Sequence, residues 1–357
     1  MYVSLPTEPI GSMPRPAALL AGLRDHADGR IGRDTLDALY DDAVRDTITR
    51  FEALGSPVVT DGEQTKPSFA TYPLDGLANL APDGAVIPFA DGHTRQLPRL
   101  TAGPFRYAVR SERYVRAALR HATAPVKQAV IAPSALSLLY PPAGIEGYDR
   151  EAFLGDLADE AEADIRGALE AGARCVQLDF TEGRLSVKLD PSKNLLGSLV
   201  AIVNRVLDRF TPAEQARIGV HTCPGGDQDS THSLDVDYAE LLPSLFSLHA
   251  GAFYIQLASE REPERVLAAI AEHRRPDQRI FVGVTDPIDP VVETPAQVRD
   301  RVLLAAGYLP PDLLGTCDDC GFAPFGDDVS TSRETAWAKV RARLEGTALA
   351  AGALGMS

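Results

Sequence analysis

The sequence predicts an α/β fold of the (β/α)8 TIM-barrel class, and three observations predict it. Eight short apolar runs lie at residues 5–12, 58–64, 126–134, 175–181, 217–223, 252–258, 279–286 and 313–320, each about as long as a buried strand. Between most of them the apolar residues recur at three- and four-residue steps, the period of an amphipathic helix. The 357 residues suit a barrel of roughly 250 residues plus insertions. No low-complexity linker, short-period repeat or charge block divides them, so residues 1–357 read as a single domain. A doubly wound sheet is the alternative.

Taken in order, the first run is followed by a helical pattern over 35–55, which leads into the second run. Residues 66–104 then break the alternation: Pro, Gly and Asp are frequent, and a long excursion after the second strand is expected. Helical patterns over 148–172, 238–249, 262–273 and 294–307 alternate with the fourth to eighth runs. The closing stretch, 331–352, reads as a long terminal helix begun by Ser or Thr.

Composition narrows the function. With 45% hydrophobic and 24% charged residues this is an ordinary globular chain, and its formal charge of -15 argues against nucleic acid and acidic membranes as partners. A small-molecule substrate is the default. No apolar run approaches the ~20 residues of a membrane span, and MYVSLPTEP lacks the basic and apolar regions of an export signal. The expected location is cytoplasmic. Four cysteines, Cys175, Cys223, Cys317 and Cys320, are too few for a disulfide scaffold and fit a reducing compartment.

In a barrel the active site is built at the carboxyl ends of the strands. Glu63, Asp179, His221, Cys223, Gln256, Asp286 and Cys320 all fall at or near such ends. His221 and Cys223 stand two apart, so their side chains point the same way. Cys320 adds a third soft donor, and two thiolates with an imidazole are a zinc set with the fourth position open. Zinc is the cofactor expected, holding a substrate thiol deprotonated. Two other readings stand beside this: Cys317 and Cys320 as a redox pair, or Cys317 as a fourth ligand, a thiolate, that makes the site structural. Glu63 and Asp179 are candidates to receive an ammonium group or a proton, or to form salt bridges. Asp318 and Asp319 either support His221 or cap their loop, and Cys175 reads as core.

Together these positions resemble the catalytic barrel of cobalamin-independent methionine synthase. The resemblance rests on Ile10-Gly11-Ser12 with Pro14, Asp61-Gly62-Glu63, Gln177-Leu178-Asp179, His221-x-Cys223 and Asp319-Cys320-Gly321, in the family's order. It spans almost the whole chain and implies a single-barrel member. It implies zinc on His221, Cys223 and Cys320, a methyl or other alkyl donor, and homocysteine as the thiol, its amino acid end held by Ile10, Ser12, Glu63 and Asp179. Two positions depart. The family's Glu ligand aligns with Gln256, with Glu260 four residues on, and the family's histidine after the seventh strand aligns with Ile288. Protonation of the leaving nitrogen would then pass to Asp286, Asp289 or water. The epoxyalkane:coenzyme M transferases, which are similar in fold, use a three-ligand zinc. Their sulfonate would want cations, for which Arg15, Lys66, Arg184 and Lys188 are candidates unless they are solvated surface residues. A uroporphyrinogen decarboxylase-like lyase is the alternative of another class.

Overall fold

The computed structural model describes residues 5–356. The reading of the N-terminus as free of an export signal rests partly on residues 1–4, which lie outside the described residues. Among the described residues no helix is long and apolar enough to cross a membrane.

Six parallel strands form the central sheet: β1 (Lys127–Ile131), β2 (Cys175–Asp179), β3 (Ile218–Thr222), β4 (Ala252–Ile255), β5 (Arg279–Gly283) and β6 (Leu314–Cys317). They pair in sequence order, β1 at one edge and β6 at the other. These are the third to eighth predicted strands. Alternate residues go to opposite faces: Val176, Leu178, Ile218, Val220, Phe253, Ile255, Ile280 and Val282 join the large core under the helices. Tyr254, Phe281 and Cys317 pack with Ile10 in a small separate cluster on the other face. Residues between them in register, such as Asp179 opposite His221 and His221 opposite Tyr254, share that second face.

The first two predicted strands are corrected to extended segments held by single bridges. Thr7 pairs with Thr316 of β6, and Val59 pairs with Val126 beside β1. Proline explains the shortness: Pro6, Pro9 and Pro57 have no N–H to give a ladder. Hydrogen bonds still link both sheet edges through these segments. Glu8 N donates to Thr316 O at 2.9 Å, Met13 N to Gly62 O at 3.0 Å, and Lys127 N to Val59 O at 2.9 Å.

The helices follow the 3.6-residue patterns with identifiable starts. Arg150–Glu170 is capped by Asp149, whose carboxylate accepts from Ala152 N, and Pro295–Ala306 by a Thr294–Gln297 capping box. The closing helix, Arg333–Ala353, begins at Ser332 as expected. The pattern over 238–249 does not yield one helix. Pro243 interrupts it, leaving a 3-10 turn at Tyr238–Glu240 and a short helix at Leu242–Leu245. The excursion contains two small antiparallel ladders, Leu80–Ala81 with Arg99–Leu100 and Val86–Pro88 with Thr94–Gln96. It is fastened to the loop after β3: Ala90 N donates to Thr231 O at 3.0 Å, and Asp227 takes both Arg95 and His93.

Candidate metal centre and its cavity

A cavity of about 670 Å³ opens at the carboxyl ends of the strands, and Ile10, Ser12, Glu63, Asp179, His221, Cys223 and Cys320 all line it. The structure therefore gathers seven of the predicted site residues in one wall. The excursion forms the facing side with Phe69, Phe89 and Arg95.

The donor atoms of His221, Cys223 and Cys320 lie within 4.8 Å of one another. The two sulfurs are 3.0 Å apart, and neither cysteine is in a disulfide. His221 is buried, and its Nδ1 lies 3.3 Å from Tyr254 O, on the neighbouring strand. That contact assigns the proton to Nδ1 and aims Nε2 inward, where it has no hydrogen-bond partner. A buried ring nitrogen without a partner is costly, and the neighbouring Cys223 thiol together with burial pushes Cys320 well above the usual thiol range. A cation among the three removes both penalties. Nitrogen, sulfur and sulfur are the donors zinc prefers, so the residues fit that ion.

Cys317 is not part of this group. It is buried in the Ile10–Tyr254–Phe281 cluster, with its thiol directed at Phe281 O, 3.6 Å away. The structural-site and redox-pair readings thus lose Cys317. Asp319 fastens the loop instead of supporting His221. Its carboxylate accepts from the backbone of Leu257, Ala258 and Ser259 at 2.8–2.9 Å, while burial pushes it up to about 7. Two glycines make this approach feasible: a Cβ at Gly283 would stand 1.9 Å from Asp319 Oδ1, and one at Gly321 would stand 2.2 Å from Ser12 Oγ. Asp318 is held by Thr285 and Arg343.

The acidic wall is built on a left-handed residue. Glu63 has φ +54°, and such a backbone costs about 1 to 3 kcal/mol in a non-glycine residue. Three contacts hold it: Asp61 accepts from Glu63 N at 2.9 Å, Lys66 Nζ meets Glu63 Oε1 at 2.8 Å, and Arg15 donates to Glu63 O at 3.1 Å. Although burial opposes a charge on Lys66, Glu63 and Asp61 outweigh it and raise its pKa. Asp179, held by Gln177 Nε2 at 2.7 Å, is pushed up to about 6 by burial, with His221 pulling the other way.

The surface reading of the cations is corrected for three of four. Arg15, Lys66 and Arg184 are buried, and all are engaged: Arg15 on the carbonyls of Glu63, Lys66 and Phe325, Lys66 on Glu63 and Ala129 O, Arg184 on Glu260 and Val236 O. Lys188 is half-exposed and paired with Asp235. Glu260 is thereby taken by Arg184 at 2.7 Å. Gln256 is buried at the end of β4, its amide nitrogen on Ser259 Oγ at 2.7 Å and its carbonyl oxygen without a partner.

Asp286 and Asp289 are not among the residues lining the cavity. Each closes a turn, Asp286 accepting from Ile288 N at 3.0 Å and the exposed Asp289 from Val291 N at 2.9 Å. Titratable residues that sequence reasoning passed over also line it, among them Glu182, at the start of the helix after β2, and His232, beyond the loop that follows β3. His232 lies two residues from a four-residue turn whose Gln228 and Asp229 have positive φ.

Comparison with known proteins agrees with this geometry. Residues 5–339 match the family of cobalamin-independent synthase catalytic domains, and the chain belongs to that family of methyltransferase enzymes. Methionine synthase of Sulfurisphaera tokodaii is 24% identical over 319 residues, covering 89% of this chain and 86% of that protein. The 5-methyltetrahydropteroyltriglutamate–homocysteine methyltransferase of Nitratidesulfovibrio vulgaris is 25% identical over 89% of this chain but only 39% of its own length. Among solved structures, a B12-independent methionine synthase from Shewanella sp. W3-18-1, in complex with selenomethionine, superimposes with a TM-score of 0.77 at 19% identity. It covers 98% of this chain and 99% of that one.

Proposed function

We propose that the chain is a single-domain, zinc-dependent S-methyltransferase that transfers a methyl group from nitrogen to the thiol of homocysteine or a close amino-thiol. Its eight extended segments close as a (β/α)8 barrel through the Thr7 and Val59 bridges. The observation that carries the reading is the unpartnered, buried His221 Nε2 beside two free sulfurs, on the wall of a cavity that also presents Glu63 and Asp179.

Zinc held by His221, Cys223 and Cys320 would supply a Lewis acid that keeps the acceptor thiol deprotonated and nucleophilic at neutral pH. The protein's own groups do the rest. Glu63 and Asp179 receive the acceptor's ammonium group, and Lys66 and Arg15 hold Glu63 fixed in its strained conformation. The backbone of Ile10 and the hydroxyl of Ser12 close the same end, Ser12 being tied to Ala323 N at 3.2 Å. Phe69, Phe89 and Phe325 offer flat apolar surfaces to a ring-bearing donor, the class named for the N. vulgaris relative. Coenzyme M fits less well, because its sulfonate would want a cation and Arg15, Lys66 and Arg184 already have partners.

The test is zinc content with zinc-edge X-ray absorption, before and after addition of homocysteine. One zinc per chain and one sulfur gained on adding homocysteine is the expected result. No stoichiometric zinc, or a shell unchanged by the thiol, overturns it.

A further inference from the structure

Methyl transfer from a tertiary amine nitrogen has a requirement that metal and thiolate do not meet: the leaving nitrogen must gain a proton. The seventh-strand loop has Ile288 where the family pattern has a histidine, and Asp286 and Asp289 cap turns away from the cavity. The cavity wall holds another acid. Glu182 is 7% exposed and lines the cavity with the metal-ligand set, as the apolar Ile131, Leu136 and Leu185 also do. One of its oxygens accepts from the Ser134 hydroxyl, and the other, Oε2, has no partner. No cation pairs with it among the described residues, unlike Glu63 with Lys66 or Glu260 with Arg184. An ionised carboxylate in that setting would be buried without a countercharge, whereas a neutral acid carries on Oε2 a proton directed at no protein group. Burial accordingly pushes Glu182 up to about 7, with Ser134 pulling the other way and nearby Asp179 adding to the rise.

We propose that Glu182 is the general acid of the reaction, delivering its Oε2 proton to the leaving nitrogen of the methyl donor. The inference rests on the functional reading above. The acceptor thiolate sulfur forms a bond to the methyl carbon as the carbon–nitrogen bond breaks. The bonding pair goes to nitrogen, which takes the proton from Glu182. The resulting carboxylate is reprotonated from solvent, which receives the proton lost by the acceptor thiol, so the sum is thiol plus N-methylamine giving thioether plus secondary amine.

The experiment compares two methyl donors in single turnovers of the zinc-loaded protein. Methyl iodide releases iodide, which needs no proton; a 5-methyltetrahydropterin releases an amine, which does. Glu182→Gln is expected to alkylate homocysteine from methyl iodide at the wild-type rate and to lose transfer from the pterin by about a hundredfold or more. Glu182→Ala is expected to regain pterin transfer when formate is added at mildly acidic pH, which keeps the proposal testable if the Gln variant folds poorly. Equal losses with both donors, pterin transfer unchanged in Glu182→Gln, or no rescue by formate would overturn the role of Glu182. If wild-type protein shows no zinc-dependent reaction of homocysteine with methyl iodide, the functional reading fails and takes the proposal with it.

Discussion

The parallel strands end in two cavities of nearly equal size, and only one of them is built for chemistry. The cavity at their carboxyl ends is about 670 Å³, and that at their amino ends, bounded by Arg174, Arg217, Arg279 and Glu8, is about 650 Å³. Volume does not separate them; hydrogen-bond satisfaction does. At the carboxyl ends, His221 Nε2, Glu182 Oε2 and Gln64 Oε1 are buried without partners. At the amino ends the buried acid is fully engaged: Glu8 accepts from Tyr254 Oη at 2.5 Å and faces Lys127 Nζ at 3.6 Å, and Lys127 lies 3.4 Å over the Tyr254 ring. Among the described residues none lining that second cavity has a buried unpartnered side-chain atom. Open polar valences mark where a substrate or ion completes the structure, and closed ones mark where folding has already done so.

The largest way to break this comparison is to remove a metal ligand. His221→Ala and Cys320→Ala should each lose bound zinc and lower methyl transfer by about a thousandfold or more. Metal analysis and a homocysteine assay on the same preparations check both, and either variant keeping its zinc would mean that the open valences serve something else. A smaller effect concerns Glu182. Its carboxyl ordinarily titrates at 4.5 and is held up to about 7 in the folded chain. Between those values the folded state binds more protons than the unfolded one, so the stability this group contributes is full below 4.5 and is lost as pH rises through 7. Glu182→Gln should flatten that decline and leave the variant more stable than wild type at pH 8 by up to about 3 kcal/mol. Urea melts at pH 5 and pH 8 measure it; an unchanged slope would place the ionised carboxylate in contact with a cation that the structure does not show.

The two cavities were not equally legible in the sequence. The proposed carboxyl-end ligands could be read because a period of two and the ends of short apolar runs place them: His221-x-Cys223 is a two-residue step at the end of β3, and Cys320 follows β6. Six strands were readable for the same reason, while the first two shrank to bridges because Pro6, Pro9 and Pro57 withhold donors. Burial of charge was not legible. Arg15 reaches a carbonyl 310 residues away at Phe325, and Glu182 accepts from a hydroxyl 48 positions earlier at Ser134; neither partner follows from local spacing. The same holds for Asp286 and Asp289. Their place after a strand suggests a catalytic rim, whereas the Asx turns they close are set by the following residues.

Cys317 sharpens the comparison within the ligand loop, since it sits three residues from Cys320 yet packs as core. Cys317→Ala should keep its zinc and its activity and lose about 1 to 2 kcal/mol of stability from the Tyr254–Phe281 cluster. Zinc loss in this variant would bring back the structural site. The smallest effect belongs to the amino-end mouth. Arg279 has no salt bridge or side-chain hydrogen bond among the described residues, and its strand is held by the backbone: Arg279 N donates to Gly251 O at 3.0 Å, and β5 pairs with both neighbours. Arg279→Ala should therefore change stability by no more than about 0.5 kcal/mol and leave the kcat and KM of methyl transfer as they are. Zinc content should be equally unaffected. A changed KM would show that this mouth communicates with the carboxyl-end cavity through the Tyr254–Phe281 stack, whose rings lie 4.7 Å apart. Tyr254 also orients His221 through its carbonyl, so that stack offers a path by which a change at the amino ends can reach the proposed metal ligands.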